Sequence, residues 1–431
     1  MQSAPQFLGS YACRRCTANI ASTSARRCLA RSASTYTRPK SVAFASYFFH
    51  NSRWTSYASP GRLPVPSPVP ARRVAQVAGQ DDISYTSSIT TPPIAWRRSE
   101  VLTPRRLFKV YAQLAKSRLT VLVVLTAMGG VAMSPLPATA SVLFFTTVGT
   151  TLCSVAANTI NQIREVPYDA QMARTRNRPL VRKAITPTHA AGFAAVTGIA
   201  GPAILWTMVN PTTAILGALN IALYAGVYTS LKRTSIVNTW VGAVVGSLPP
   251  LMGWAACGGH ILPSAEYPIH IFLPSFLSSV PVDLALVDNP LAPFAFFMVL
   301  YSWQFPHFNA LSYLVRASYA QAGYKMLSVV NPAKNALVSL RHTLLLIPMC
   351  SVLVPLSGLT TWAFALTSLV PNAIWAHAAW KFWRHGSEKH ARTTFHHSLW
   401  YMPVILGLMM FHKQGVDWTS WIWGKQEDED E

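Results

Sequence analysis

The chain has 431 residues, of which 51% are hydrophobic and only 12% are charged, and its formal net charge is +21. Most of the positive excess lies near the N-terminus and in short loops beside apolar segments, where an anionic lipid leaflet or an anionic substrate accounts for it. This distribution argues against a nucleic-acid-binding protein. Of the six cysteines, only Cys13 and Cys16 are closely spaced, so the sequence predicts neither a disulfide framework nor a zinc site.

Residues 1–100 are predicted to form a mitochondrial transit peptide followed by a disordered linker. No acidic residue precedes Asp81, whereas ten arginines in this stretch are interleaved with Ser, Thr and Ala. Arg-rich, Ser-rich and acid-poor sequence is typical of mitochondrial transit peptides, and the Pro-rich stretch 60–70 is typical of a linker. The alternative is a basic, disordered tail on an enzyme of bacterial type.

Residues 101–415 are predicted to be an all-α membrane domain with nine transmembrane helices, and residues 416–431 an acidic C-terminal tail. Each expected span approaches the roughly 20 residues that cross about 30 Å of hydrocarbon. In chain order the spans are 119–135, 141–162, 189–209, 212–230, 238–257, 291–311, 339–357, 359–380 and 397–412.

Basic residues between the first and last spans fall in four short loops, on alternate connections. The clusters begin at Arg164, Lys232, Arg316 and Lys381, and the stretches between the clusters contain no basic residue. The positive-inside rule places such loops on the cytoplasmic face, or by extension on the matrix face of the mitochondrial inner membrane. The sequence therefore predicts a multi-pass inner-membrane protein with one basic face.

The first basic loop and the end of the span before it contain the candidate metal-binding residues. Asn161, Glu165 and Asp169 are spaced i, i+4, i+8, which would align three oxygen-bearing side chains along one side of a helix. Pro167 predicts that this helix ends or kinks near Arg164 and that Asp169 lies on an extended turn. Two carboxylates beside several arginines suit Mg²⁺ and a diphosphate. The alternative is a set of surface ion pairs in a membrane-flanking loop.

Two later segments strengthen the interpretation of a binding site. The segment 228–238 places Lys232 and Arg233 in the second basic loop, and the segment 302–313 places His307 and Asn309 beside the third. Since all these loops lie on the same face, we expect them to converge on one opening of the helix bundle.

Six segments occur in a fixed order along the membrane domain. They are KSRLTVLVVLT (116–126), NTINQIREVPYDAQMARTRNRPL (158–180), YTSLKRTSIVN (228–238), GSLPPLMGWAA (246–256), WQFPHFNALSY (303–313) and AGYKML (322–327). In this combination the chain resembles the protoheme IX farnesyltransferases, the mitochondrial heme O synthases of the UbiA prenyltransferase superfamily. The resemblance covers about residues 106–411, and it implies a nine-helix UbiA-type bundle whose active site opens toward the matrix.

The resemblance also implies a reaction and its partners. The farnesyl group of farnesyl diphosphate would pass to a vinyl carbon of heme b, with Mg²⁺ as the cofactor, and addition of water would give heme O. Heme O would then be oxidised to heme A for cytochrome c oxidase, which makes heme A synthase a candidate partner. Inner-membrane lipid surrounds such a bundle, and an oligomer is compatible with it.

Site residues follow from matching the family's motifs to this chain. Mg²⁺ is assigned to Asn161, Glu165 and Asp169, and the diphosphate to Lys116, Arg174, Arg178, Lys232 and Arg233. Aromatic rings such as Tyr228, Trp303 and Phe305 either steady an allylic cation or serve as packing. His307 is a candidate iron ligand, a group near the diphosphate beside Asn309, or a helix-end histidine bonded to the backbone.

One position departs from the family. Relatives of this type carry an acid directly before the tyrosine of the motif after the sixth helix, whereas this chain has Ser318 before Tyr319. The number of Mg²⁺ ions is therefore open. Two other functions are weighed: a 4-hydroxybenzoate polyprenyltransferase would share the fold, and a membrane carrier could share the loop asymmetry.

Overall fold

The computed structural model describes residues 103–274, 277 and 288–416. Over these residues the regular secondary structure is helical, apart from one isolated antiparallel bridge between Thr360 and Lys413. The predicted transit peptide and linker, and the predicted acidic tail from residue 417 onward, lie outside the described residues.

Ten long helices make up most of the described fold. They are α1 (Pro104–Leu114), α2 (Ser117–Met133), α3 (Ala140–Asp169), α4 (Pro187–Met208), α5 (Pro211–Thr234), α6 (Asn238–Ala256), α7 (Leu291–Leu314), α8 (Pro332–Leu356), α9 (Leu369–His385) and α10 (Glu388–Phe411). Two of them contain a π-helical segment, Ala222–Tyr228 in α5 and Met349–Leu353 in α8. Short helices occupy Arg316–Gln321, Leu327–Val330 and Ala363–Thr367.

Among the described residues, four helices are long and apolar enough to cross a membrane: α3, α4, α5 and α8. The pair α1 and α2, bent by 56°, makes a fifth if it is one span. The remaining long helices fall short in length or apolarity; α9, for example, has only 17 residues. The chain is therefore a helical membrane protein, and the expected nine spans stay a prediction.

Small residues bring the helices close together. An added Cβ at Gly253 would overlap the carbonyl oxygen of Ala127, and one at Gly130 would overlap that of Pro250. These reciprocal contacts place the backbones of α2 and α6 against each other. Close approach at small residues is the usual way for membrane helices to pack, because lipid is as apolar as the helix surfaces and gives no hydrophobic driving force.

The sequence predicted that α3 would end or kink near Arg164 with Asp169 on an extended turn, and the predicted end and extended turn are wrong. The helix continues through Pro167 to Asp169. A proline lacks one backbone donor but lies here in the last turn, where the amide of Ala170 still bonds to the carbonyl of Val166 at 3.1 Å. Because the helix is continuous, its last turns carry the acidic residues at the end where α5 and α7 also terminate.

Candidate active site

A charged cleft, whose empty volume of about 300 Å³ includes space open to solvent, lies at the C-terminal ends of α3, α5 and α7. Its walls come from α3, from the loop that follows α3, from α5, and from the segment that follows α7. The lining residues are Glu165, Asp169, Met172, Arg174, Arg178, Tyr228, Lys232, Tyr319, Tyr324 and Met326. The predicted convergence of three loops is confirmed by this arrangement.

Two carboxylates and two cations form a connected network in the cleft. Lys232 Nζ donates to Glu165 Oε1 at 2.8 Å, and Arg178 donates to Asp169 Oδ2. Arg178 also lies 3.7 Å from Glu165 Oε2. Glu165 and Asp169 are 4% and 1% exposed, so the pairing replaces the water that the carboxylates lose on burial.

The network also explains how two acids are tolerated at the C-terminus of α3, where the helix dipole disfavours negative charge. Both carboxylates have a cation within ion-pairing distance. Burial by itself lowers the pKa of the Arg178 guanidinium, but Asp169 and Glu165 outweigh burial and raise that pKa above its usual value. Arg178 is therefore held as a permanent positive charge facing the cleft.

Lys116 reaches the same region from the break between α1 and α2. Its Nζ donates to Asn161 Oδ1 at 2.9 Å and to the Tyr224 hydroxyl at 3.2 Å. Asn161 in turn donates to Thr229 Oγ1 at 3.1 Å. Lys116 has a left-handed backbone with φ of 49°, a conformation that is uncommon for a residue other than glycine and that clusters at functional sites.

The π-helical segment of α5 is held by an arginine of α3. Arg164 donates to the carbonyl oxygens of Ala225 and Gly226 and, at 2.8 Å, to Ser230 Oγ. π-helical turns within α-helices are rare and frequently occur at functional sites, and the bonds from Arg164 tie this segment of α5 to α3. The segment ends at Tyr228, whose ring lies 4.5 Å from Lys232 Nζ.

The segment after α7 covers the cleft from the other side. Arg174 donates to the Tyr319 hydroxyl at 3.4 Å, and the Lys325 amide donates to the Lys232 carbonyl at 2.7 Å. Met172 and Met326 lie in one apolar cluster with the rings of this segment. The loops after α3 and α7 are thereby joined above the acids.

Among the described residues, one oxygen atom of the acidic pair has no hydrogen-bond partner. Asp169 Oδ1 is buried and accepts no hydrogen bond, whereas both oxygens of Glu165 face cations. The described residues contain no group of three or more His, Cys, Asp or Glu side chains that could enclose a metal. One or two carboxylates completed by phosphate oxygens is a typical environment for Mg²⁺, so the donors present fit that ion.

The structure places several predicted site residues elsewhere. The Arg233 guanidinium lies over the ring of Tyr168, 4.9 Å from its centroid, and outside the cleft lining. Asn161 is fully buried outside the cleft lining, and its side-chain amide bonds to Lys116 and Thr229.

Three predicted residues on α7 also lie away from the cleft lining. Trp303 Nε1 donates to the Ser398 carbonyl at 3.1 Å, and His307 Nδ1 lies 2.7 Å from Ser398 Oγ. Asn309 exchanges hydrogen bonds with Asn335 on α8. These side chains therefore face α8 and α10, and Phe305 is buried against Trp240 and His342.

Sequence reasoning missed the residues that close the cleft. Met172, Tyr319, Tyr324 and Met326 line it, yet none was assigned to the site. The available signal was the AGYKML segment, which contains Tyr324 and Met326. Its distance along the chain from the acids hides the contact, which exists only once the loop folds back over α3.

The fold and the cleft define a multi-helix membrane protein whose buried carboxylates and cations can bind an anionic ligand together with a cation. Residues 122–400 match the model of the UbiA prenyltransferase family. The chain belongs to this family.

Several fungal proteins are similar to this chain. The mitochondrial protoheme IX farnesyltransferase of Yarrowia lipolytica is 46% identical over 333 residues, which are 74% of this chain and 64% of that protein. The corresponding protein of Neurospora crassa is 44% identical over 344 residues, covering 76% of this chain and 65% of that protein. The chain thus spans less than two thirds of the length of these relatives.

Two solved structures share the fold. A structure of digeranylgeranylglyceryl phosphate synthase gives a TM-score of 0.53 at 14% identity and covers 71% of this chain and 98% of its own. The ligand-free structure of a UbiA homolog from Aeropyrum pernix K1 gives a TM-score of 0.50 at 18% identity, covering 68% and 97%. At these identities the likeness concerns the fold alone.

Proposed function

We propose that this protein transfers the farnesyl group of farnesyl diphosphate to a vinyl carbon of heme b, producing heme O. The observation that carries the proposal is the cleft itself, in which buried carboxylates and cations from separate loops surround a space for an anionic group. The names of the fungal relatives supply the substrate class, because protoheme IX farnesyltransferases are similar to this chain over most of its length.

The cations of the cleft would bind the diphosphate. Arg178 and Lys232 are held in place by Asp169 and Glu165 before substrate arrives, and Arg174 is held by Tyr319. Preorganised charges of this kind stabilise the negative charge that grows on a leaving group without having to reorient during the reaction.

Glu165 and Asp169 are the residues that would hold Mg²⁺, with the unpaired Asp169 Oδ1 as a direct ligand. When bound, Mg²⁺ supplies additional positive charge beside the diphosphate. Asn161, one helical turn before Glu165 on α3, would position Lys116 and would not bind the metal.

The proposed reaction breaks one C–O bond and forms one C–C bond. The C–O bond of farnesyl diphosphate breaks and its electron pair leaves with the diphosphate, giving an allylic cation. The vinyl group of heme b attacks this cation and forms the new C–C bond. Water then adds to the resulting cation and releases a proton. The buried Met172 and Met326 and the half-buried Tyr228 would exclude other water from the allylic carbon.

The proposed location of the active site is the matrix side of the mitochondrial inner membrane. The cleft opens at the helix ends that carry the basic loops, so a matrix-facing active site in the mitochondrial inner membrane agrees with the positive-inside rule. We expect the protein to cross this membrane nine times. Heme A synthase would be the next enzyme to receive heme O.

A heme-extract assay tests the function. A strain lacking this gene should retain heme b and lose both heme O and heme A, and re-expression of the full chain should restore them. Loss of ubiquinone with normal heme A would instead indicate a 4-hydroxybenzoate polyprenyltransferase. Normal levels of both would favour a carrier and contradict the proposal.

A further inference from the structure

We propose that the Tyr324 hydroxyl donates a hydrogen bond to the diphosphate group of the substrate. The inference rests on the proposed function for the class of ligand. It assigns a binding role to a residue of the segment after α7, whereas the known cations and acids of the cleft come from α3, its following loop and α5.

The first observation is an unsatisfied donor. Tyr324 is 4% exposed and lines the cleft, and its hydroxyl has no hydrogen-bond partner among the described residues. A buried hydroxyl without a partner destabilises a protein. The neighbouring Tyr319 differs, because its hydroxyl accepts a hydrogen bond from Arg174.

The second observation is that Tyr324 is rigidly placed. Its ring lies 5.7 Å from that of Tyr168 and 5.9 Å from that of Tyr319. The next residue, Lys325, is fixed at both backbone groups, since its amide donates to the Lys232 carbonyl at 2.7 Å and its carbonyl accepts from Asn238 Nδ2 at 3.0 Å. A hydroxyl held on such a support is preorganised for a ligand.

The chemistry of the cleft indicates which ligand. Burial raises the pKa of the Tyr324 phenol, so the group stays neutral and can donate. The unpaired Asp169 Oδ1 in the same cleft is a ligand for a cation. The unpaired Tyr324 hydroxyl is a donor for a hydrogen-bond acceptor. A diphosphate with its divalent cation supplies both, because phosphate oxygens accept hydrogen bonds while the cation binds the carboxylate.

The test is Tyr324→Phe in the purified full chain, with inorganic pyrophosphate and Mg²⁺ as the probe. Binding should weaken about tenfold, as expected for loss of one donor to a charged acceptor, and the KM for farnesyl diphosphate should rise in parallel. Without ligand, the variant should unfold at the same or a higher temperature, because an unsatisfied buried hydroxyl has been removed.

Tyr401→Phe is the matched control. The Tyr401 hydroxyl is also buried but donates to Asn372 Oδ1 at 2.7 Å, outside the cleft. This variant should lower the unfolding temperature and leave pyrophosphate binding unchanged. The two substitutions delete the same atom, but Tyr324→Phe should weaken binding without lowering stability, and Tyr401→Phe should lower stability without weakening binding.

Each other outcome overturns the inference. Unchanged pyrophosphate binding by Tyr324→Phe shows that the hydroxyl does not contact diphosphate, even if the wild-type protein makes heme O. A lower unfolding temperature without ligand shows that the hydroxyl has a structural partner instead. If the wild-type protein binds no pyrophosphate and forms no heme O, the proposed function itself fails, and with it the inference.

Discussion

Lys232 Nζ lies 2.8 Å from Glu165 Oε1, and the two residues are 9% and 4% exposed. This buried ion pair joins α5 to α3 across 67 positions of sequence. Arg178 also faces Glu165, at 3.7 Å. A pair of this kind matters less for its net attraction than for the charge that would remain buried if one partner were removed.

Lys232→Met should therefore lower the free energy of unfolding by about 3–5 kcal/mol, with Arg178 tending to reduce the loss. The double variant Lys232→Met/Glu165→Gln should recover part of that stability, because it leaves no uncompensated carboxylate, yet it should not recover activity. Denaturant unfolding in detergent, together with heme O formation, measures both effects.

The exposed pair Arg316–Glu388 is the control for this prediction. Its charged atoms are 3.1 Å apart, but its side chains are 35% and 58% exposed. Arg316→Gln should change stability by less than about 1 kcal/mol. Equal losses of unfolding free energy in Lys232→Met and Arg316→Gln would show that burial of the Lys232–Glu165 pair does not increase the cost of breaking it.

Asp169→Asn should reduce turnover at least tenfold, which corresponds to about 1.4 kcal/mol of barrier, while the protein remains inserted in the membrane. The change removes the negative charge beside the unpaired Oδ1, so Mg²⁺ would be held less tightly. Removing Mg²⁺ with a chelator should abolish activity of the unchanged protein. Near-normal heme O production by Asp169→Asn would exclude this residue as a metal ligand.

Gly253→Ala should destabilise the protein by about 1–3 kcal/mol, because the new methyl group would overlap the Ala127 carbonyl and push α2 away from α6. Gly407→Ala is the matched control on α10, since no atom lies within 4 Å of its added Cβ. The control should be neutral or slightly stabilising in a helix. Similar unfolding temperatures for the two variants would contradict the close packing of α2 on α6.

Ser318→Asp should lower the Mg²⁺ concentration needed for half-maximal activity. Ser318 is half-buried on the short helix Arg316–Gln321, directly before the cleft residue Tyr319. A carboxylate can offset divalent charge, whereas a hydroxyl cannot. An unchanged or raised Mg²⁺ requirement would leave Glu165 and Asp169 as the acidic metal ligands.

Deletion of residues 1–59 should abolish import into mitochondria without altering catalysis by the protein expressed in a bacterial host. The physical reason is that this acid-free, Arg-rich segment has the composition of a transit peptide. Fractionation of mitochondria and a heme O assay measure the two effects. Efficient delivery of the truncated protein to the inner membrane would refute the assignment.

Local sequence determined the helical class of this protein and the position of its acidic residues along one helix. Apolar stretches separated by basic loops predicted a helical membrane protein with one basic face, because hydropathy and charge act within each segment. The spacing of Asn161, Glu165 and Asp169 predicted their alignment on one side of α3, because 3.6 residues complete a helical turn. Pro167 misled the prediction, since a single missing donor in the last turn did not end the helix.

The tertiary structure alone decided which side chains meet. Lys232 and Arg233 are neighbours in sequence, but adjacent helical positions point about 100° apart, so one pairs with Glu165 and the other lies over Tyr168. Tyr324 enters the cleft because the segment after α7 folds back and its backbone bonds to Lys232. Such contacts join residues far apart in the chain, and no local pattern specifies them.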